Sequence, residues 1–210
     1  MAILSKKTNL KIPQFHNLAK AMKVYVATHN AHKIKEIAEI LPECEIVGED
    51  PVGVKEDAPD FIGNAQIKVE AIAVRHSGEW CMADDSGLEV EALGGAPGVH
   101  SARYAGEPTD TEANNALLLR NLDGIENRRA HFTCAIALVA PDGTRHNAIG
   151  RCNGRIAESA SGANGFGYDP LFVPDGYSLS FAALGESVKN TISHRARALA
   201  AVRELIVAYN

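Results

Sequence analysis

The chain has 210 residues, 46% of them hydrophobic, and a formal net charge of −5 at pH 7. That length and apolar content suit one large domain with a substantial core better than two small ones. The acidic balance excludes a broad basic face of the kind that grips nucleic acid, and no apolar run approaches the ~18 residues needed to cross a bilayer.

Residues 1–21 form a lysine-containing, acid-free stretch that reads as an N-terminal extension, with residues 22–210 as one domain. The stretch has neither the apolar centre of a secretion signal nor the arginines of an organelle-targeting peptide, so a cytoplasmic protein without a membrane partner is expected. Four scattered cysteines, Cys44, Cys81, Cys134 and Cys152, include no closely spaced pair of the zinc-binding kind and are expected as reduced thiols.

In chain order, Val24-Tyr25-Val26-Ala27 is predicted as a strand and Thr28 to His32 as a tight polar loop. Lys33 to Leu41 reads as a helix closed by Pro42, with Ile34, Ile37, Ala38 and Leu41 as its apolar stripe. Val52 to Lys55 reads as a strand. A second helix should run from after Asp60 to about His76, with Ile62, Ala65, Val69, Ile72 and Ala73 inward and Asn64 and Lys68 together on another face.

Trp80 to Ala83 reads as a short buried strand that ends at Asp84 and Asp85, where Gly87 lets the chain turn. Neighbouring side chains on extended backbone point to opposite faces, so one aspartate should reach a site while the other braces the turn. A third helix, capped by Thr109 or Asp110, should cover Thr111 to Asn121. His131 to Ala140 and Thr144 to Arg151 form a hairpin about Pro141-Asp142-Gly143. The glycine-rich stretch Ser161 to Pro170 precedes a strand Leu171-Phe172-Val173, and the last helix follows Ser193. The expected class is α/β around a mixed sheet.

Several segments carry chemistry. A strand, a polar loop and a helix opening with Lys33 suit an anion, since helix-start N–H groups attract phosphate and a lysine there otherwise opposes the dipole. The same opposition recurs at Ser193-His194-Arg195, with Lys189 nearby. Phe166, flanked by Gly165 and Gly167, is exposed as a base-stacking platform would be. Glu56 and Asp57 offer carboxylate oxygens for Mg²⁺ beside Asp85. Read singly, each has an ordinary alternative: a strand-to-helix turn, solvated surface charges, a loop-anchoring phenylalanine. Together they are the parts of a nucleoside triphosphate site.

With these residues assembled, the chain resembles the inosine triphosphate pyrophosphatase family from Met22 to the C-terminus. The motifs are ATHNAHK at Ala27 to Lys33, ADDSGL at Ala83 to Leu88, GGAPGVHSARYAG at Gly94 to Gly106, GANGFGYDP at Gly162 to Pro170 and KNTISHRARAL at Lys189 to Leu199. The resemblance implies an elongated mixed-sheet α/β domain with two lobes, a central nucleotide cleft and a homodimer. It also implies Mg²⁺-dependent conversion of ITP, dITP or XTP to the monophosphate and pyrophosphate. By motif position, Thr28, His29, Asn30, Ala31, His32, Lys33 and Lys68 hold the phosphates, and Glu56 and Asp85 hold the metal. Asp85 is the implied general base, Ser86 touches the substrate and Phe166 stacks on the purine; Gly167, Tyr168, Asp169, Lys189, His194 and Arg195 complete the pocket. Three positions depart from the family pattern: Gly63 stands where glutamate is common, Ser187-Val188 where acidic residues are common, and His100 where tyrosine is frequent. Two alternatives stay open, a Maf-like pyrophosphatase for other nucleotides and a non-catalytic nucleotide sensor.

Overall fold

The structure, a computed structural model, describes residues 22–209; the expected extension over residues 1–21 lies outside the described residues. Its elements are β1 (Met22–Ala27), α1 (Ala31–Ile40), β2 (Cys44–Glu49), α2 (Phe61–Ala73), β3 (Trp80–Val90), α3 (Thr111–Asn121), β4 (Arg129–Val139), β5 (Arg145–Ile156), β6 (Phe172–Pro174), α4 (Phe181–Leu184), α5 (Glu186–Ile192) and α6 (His194–Tyr209). The strands form one sheet in the order β2-β1-β3-β4-β5-β6. β1 runs parallel to β2 and β3, and the remaining pairs are antiparallel, giving the expected mixed sheet.

Apolar packing divides along the long central strands. Near the start of β3, Met82 packs with Val24, Val26, Ile136, Leu138 and the α6 residues Leu199 and Val202 on one face. On the other face, Cys81 and Ala83 meet Ala65, Val69 and Ile72 of α2. At the far end of β3, Leu88 and Val90 join Leu118, Phe132, Phe172 and Phe181. Between these apolar groups lie Asp84, Asp85, Ser86 and Gly87, so the core is interrupted where the charged residues sit. Two lobes joined by a polar waist follow from this pattern on β3.

Several local expectations are corrected. β3 does not end at Ala83: it stays paired with β4 from Cys81↔Val139 to Val90↔Ala130, because cations from other elements compensate the aspartates that seemed to break it. Gly87 makes no turn. A Cβ there would lie 2.4 Å from the Gly98 carbonyl oxygen and 2.6 Å from Ser101 Oγ, so its bareness admits the 3₁₀ turn Gly98–Arg103 against the sheet. Val52 to Lys55 is loop, with Val52 exposed, and the second strand is the unexpected β2. α1 begins at Ala31, since Asn30 caps it, and Ala38 is exposed while Glu36 is buried beside Ile37. α2 ends at Ala73, short of His76; β5 continues to Ile156; α4 and α5 were not foreseen. α3 begins and ends as expected, with Asp110 as its cap.

Candidate active site

Asp84 and Asp85 are both buried and face opposite sides of the sheet. Asp84 Oδ2 accepts from Arg195 Nη2 (2.8 Å) and from Ser86 Oγ (2.9 Å), while Lys33 Nζ lies 3.1 Å from Oδ1. Asp85 turns toward α2: Oδ2 accepts from Asn64 Nδ2 at 3.3 Å, and Oδ1 lies 3.2 Å from Lys68 Nζ. The shared helix face expected for Asn64 and Lys68 thus covers Asp85 (one turn apart, i to i+4).

The two neighbours are driven apart in acidity. Burial opposes charge on Asp84, but Lys33, Arg195 and Lys68 outweigh it and hold this carboxyl far below the ordinary carboxylate range. On Asp85, burial dominates with help from Glu56 and Asp84, so Lys68 and Lys33 leave its pKa raised. Opposed shifts on adjacent carboxyls separate a permanently ionised brace from a group able to take a proton.

Lys68 is the hinge between Asp85 and the loop before α2. Its Nζ lies 2.9 Å from Glu56 Oε2 as well as 3.2 Å from Asp85 Oδ1, so both carboxylates converge on one cation. Burial lowers the Lys68 pKa, yet Asp85, Asp84 and Glu56 reverse this and hold it above the usual value. The loop is fixed by Ala58 N–H donating to Asn64 Oδ1 (3.0 Å). Gly63 accommodates it: a Cβ there would meet Ala58 Cβ at 2.7 Å, so any side chain at this position requires the loop to shift.

At the opposite edge, Asn30 Oδ1 accepts from the N–H groups of His32 (3.0 Å) and Lys33 (3.2 Å), and Thr28 Oγ1 accepts from Asn30 N–H (3.1 Å). Part of the donor set expected to cradle phosphate is therefore engaged by the cap itself. Ala31 opens the helix. His29 points outward, 84% exposed, and does not join the cluster. His32 reaches across and stacks on Phe166, with ring centroids 5.2 Å apart.

Phe166 is half-buried, and Lys189 Nζ sits 4.6 Å from its ring centroid. Asp169 fixes this loop by accepting from Phe166 N–H (2.9 Å) and pairing with Lys189 Nζ (2.5 Å). Gly165, at φ +77°, has room for no side chain, since a Cβ would meet Asp169 Oδ2 at 2.1 Å. The Gly167 carbonyl accepts from Asn115 Nδ2 (3.1 Å). Tyr168 is buried with its hydroxyl donated to the Ser101 carbonyl (2.9 Å), so only its backbone remains for a ligand.

Ser193 caps α6, as expected, by accepting from Ala196 N–H at 3.2 Å. His194 is buried and stacked on Phe132; burial first, then Arg195 and Lys189, keep it neutral well below its ordinary pKa. Arg195 is fully enclosed between Asp84 and Glu36.

Glu36 is the residue that sequence reasoning missed. It pairs with Lys189 Nζ (2.7 Å) and with Arg195 Nη1, and so joins α1, α5 and α6. Its signal was present: Lys33, Glu36, Ile37 and Ile40 follow the i, i+3, i+4, i+7 spacing of one helix face.

These residues bring a stacking aromatic, paired carboxylates and at least four cations to one waist of a mixed α/β sheet, a layout suited to a nucleotide with a charged tail. Residues 24–205 match the Ham1 family. The chain is 49% identical to the dITP/XTP pyrophosphatase of Porphyromonas gingivalis, over 88% of this chain and 97% of that one. It is 48% identical to the dITP/XTP pyrophosphatase of Desulforamulus reducens, over 88% and 96% respectively. The solved structure of the Staphylococcus aureus Ham1 protein superposes with a TM-score of 0.80 at 37% identity, covering 90% of this chain and all of the other. The chain belongs to the Ham1 family.

Proposed function

We infer that this chain is a nucleoside triphosphate pyrophosphatase that hydrolyses the deaminated purine nucleotides ITP, dITP and XTP to the monophosphate and pyrophosphate. Its similarity to enzymes named dITP/XTP pyrophosphatase supports the substrate class. One observation carries the chemistry: of two adjacent buried aspartates only Asp85 has a raised pKa, and only Asp85 shares a cation with Glu56.

The donor set fits a hard divalent cation. Two carboxylates already converge on an ammonium, and among the described residues no group of three or more His, Cys, Asp or Glu side chains forms a complete cage. Mg²⁺ typically takes one or two carboxylates and fills its remaining positions with water and phosphate oxygen. Glu56 and Asp85 would hold it, and the ion supplies Lewis acidity that offsets phosphate charge and acidifies water.

The chain's own residues do the rest. Asp85 accepts the proton of the water attacking the α-phosphorus. Lys33 and Lys68 orient the phosphate chain, and Phe166 stacks on the purine. Asp84 stays ionised and fixes Arg195 and Ser86. Donors at the start of α6 favour a 6-oxo group over the 6-amino group of adenine, because a donor left facing an amine is costly. Homodimeric assembly and a cytoplasmic setting belong to the same reading and rest on the family resemblance.

Hydrolysis of ITP, XTP, GTP, ATP, dUTP and dTTP with Mg²⁺ tests the substrate class: ITP and XTP should lead, and equal rates on all would discard the selectivity. Reaction in ¹⁸O-water should label IMP; label in pyrophosphate would refute attack at the α-phosphorus.

A further inference from the structure

The cations of the waist are already matched by carboxylates. Lys33 pairs with Asp84, Lys68 with Glu56 and Asp85, Lys189 with Glu36 and Asp169, and Arg195 with Glu36 and Asp84. A phosphate tail bearing several negative charges therefore meets groups whose charge is largely offset. The residue that stands apart is Arg103. Among the described residues it is the one arginine that is half-buried yet has no carboxylate or carbonyl acceptor for its guanidinium. The other unpartnered arginines, Arg120, Arg151 and Arg155, are exposed to water.

Arg103 lines a cavity of about 680 Å³ together with Lys55, Glu56, Asp57 and His100. The cavity thus adjoins the carboxylate that Lys68 links to Asp85. Its walls are pinned on both sides. Asn114, buried on α3, donates to the Ala102 carbonyl (2.9 Å) and accepts from Ala105 N–H (2.6 Å), bracketing Arg103 in the chain. Ser101 Oγ accepts from Leu88 N–H on β3 (2.9 Å), and the Ser101 carbonyl receives the Tyr168 hydroxyl. The opposite wall is held by Ala58 on Asn64 and by Glu56 on Lys68.

A guanidinium held in a cavity wall with no protein acceptor keeps its donors free for a ligand, and its planar fork matches phosphate oxygens two at a time. We propose that Arg103 binds the terminal phosphates of the substrate and, after cleavage, the pyrophosphate product, from the cavity beside Glu56. This rests on the pyrophosphatase reading and adds to it a tail-binding residue on the Gly98–Arg103 turn.

The test uses the full chain and its Arg103→Ala and Arg103→Lys variants, with inorganic pyrophosphate and IMP as separate inhibitors of ITP hydrolysis. In Arg103→Ala the inhibition constant for pyrophosphate should rise about ten- to a hundredfold, with KM for ITP, while IMP inhibition stays within about twofold. Arg103→Lys, which keeps charge and loses the fork, should fall between. Pyrophosphate inhibition equal to wild type overturns the proposal, as does equal weakening of pyrophosphate and IMP, which would mark a general disturbance. If Arg103→Ala does not fold, Arg103→Lys decides on the same readout. Should the wild type not hydrolyse ITP, the pyrophosphatase reading fails independently. Calorimetric titration of inorganic pyrophosphate into wild type and variant then still decides: binding lost in the variant supports the assignment, and equal binding or none in either protein overturns it. A changed oligomeric state with unchanged pyrophosphate binding would also overturn it, by giving Arg103 a protein partner.

Discussion

Glu36 sits where three helices need one carboxylate, and its ionisation has a measurable signature. Burial pushes its pKa up, but Arg195 and Lys189 push harder and leave it below the ordinary glutamate value. A carboxyl lowered in the folded state stabilises the protein fully above the unfolded pKa, and that contribution declines as pH falls toward the folded value. Glu36→Gln should cost about 3–5 kcal/mol at pH 7, because it leaves buried cations short of a counter-charge. In urea denaturation the gap to wild type should narrow below about pH 4; a constant gap would mean that the carboxylate is not ionised in the fold. The aspartates divide differently. Asp85→Asn should lower kcat about a hundred- to ten-thousandfold with nucleotide affinity within a few-fold, as loss of a general base does. Turnover and affinity falling together would assign Asp85 to binding instead.

Among the elements, the approach of α6 to β5 decides where His194 and Arg195 stand. Gly150 on β5 lies directly beneath the first turn of α6: a Cβ there would be 2.1 Å from the His194 carbonyl oxygen and 2.4 Å from Ala198 N, both backbone atoms that cannot swing aside. Gly150→Ala should therefore destabilise by about 1–3 kcal/mol and lower kcat/KM for ITP by displacing the helix start. A variant with wild-type melting and kinetics would show that α6 has slack. The legibility of the elements follows from what each one needs. α3, with its Asp110 cap, and the β4–β5 hairpin about Pro141-Asp142-Gly143 are written locally, and the sequence suffices for them. β3 was cut short because Asp84 and Asp85 resemble strand breakers until distant Lys33, Lys68 and Arg195 are brought to them. Glu36 was hidden for the same reason: its partners lie more than 150 positions away. The motif residues themselves were visible, and the waist collects most of them, with the His29 side chain and the Tyr168 hydroxyl as exceptions.

At the scale of the molecule, β3 and β4 run through the apolar clusters on both sides of the waist, so the lobes share their central strands. The single tryptophan, Trp80, reports on one lobe only, where it packs edge-on against Tyr209 at 5.0 Å. Its fluorescence and the far-UV circular dichroism of the whole chain should nevertheless trace the same denaturation curve. Separated midpoints would show that the lobes unfold independently despite the continuous strands.

Lys68, reaching between Glu56 and Asp85, acts as a tethered counter-ion that quenches the mutual repulsion of those oxygens from within. Chelation of divalent ions should thus abolish turnover while moving the melting temperature by no more than about 2 °C; a large drop on chelation would mean that the fold leans on the ion. On the proposed Mg²⁺-dependent reading, dormancy without the ion is a reversible resting condition, and the protein can wait intact for it.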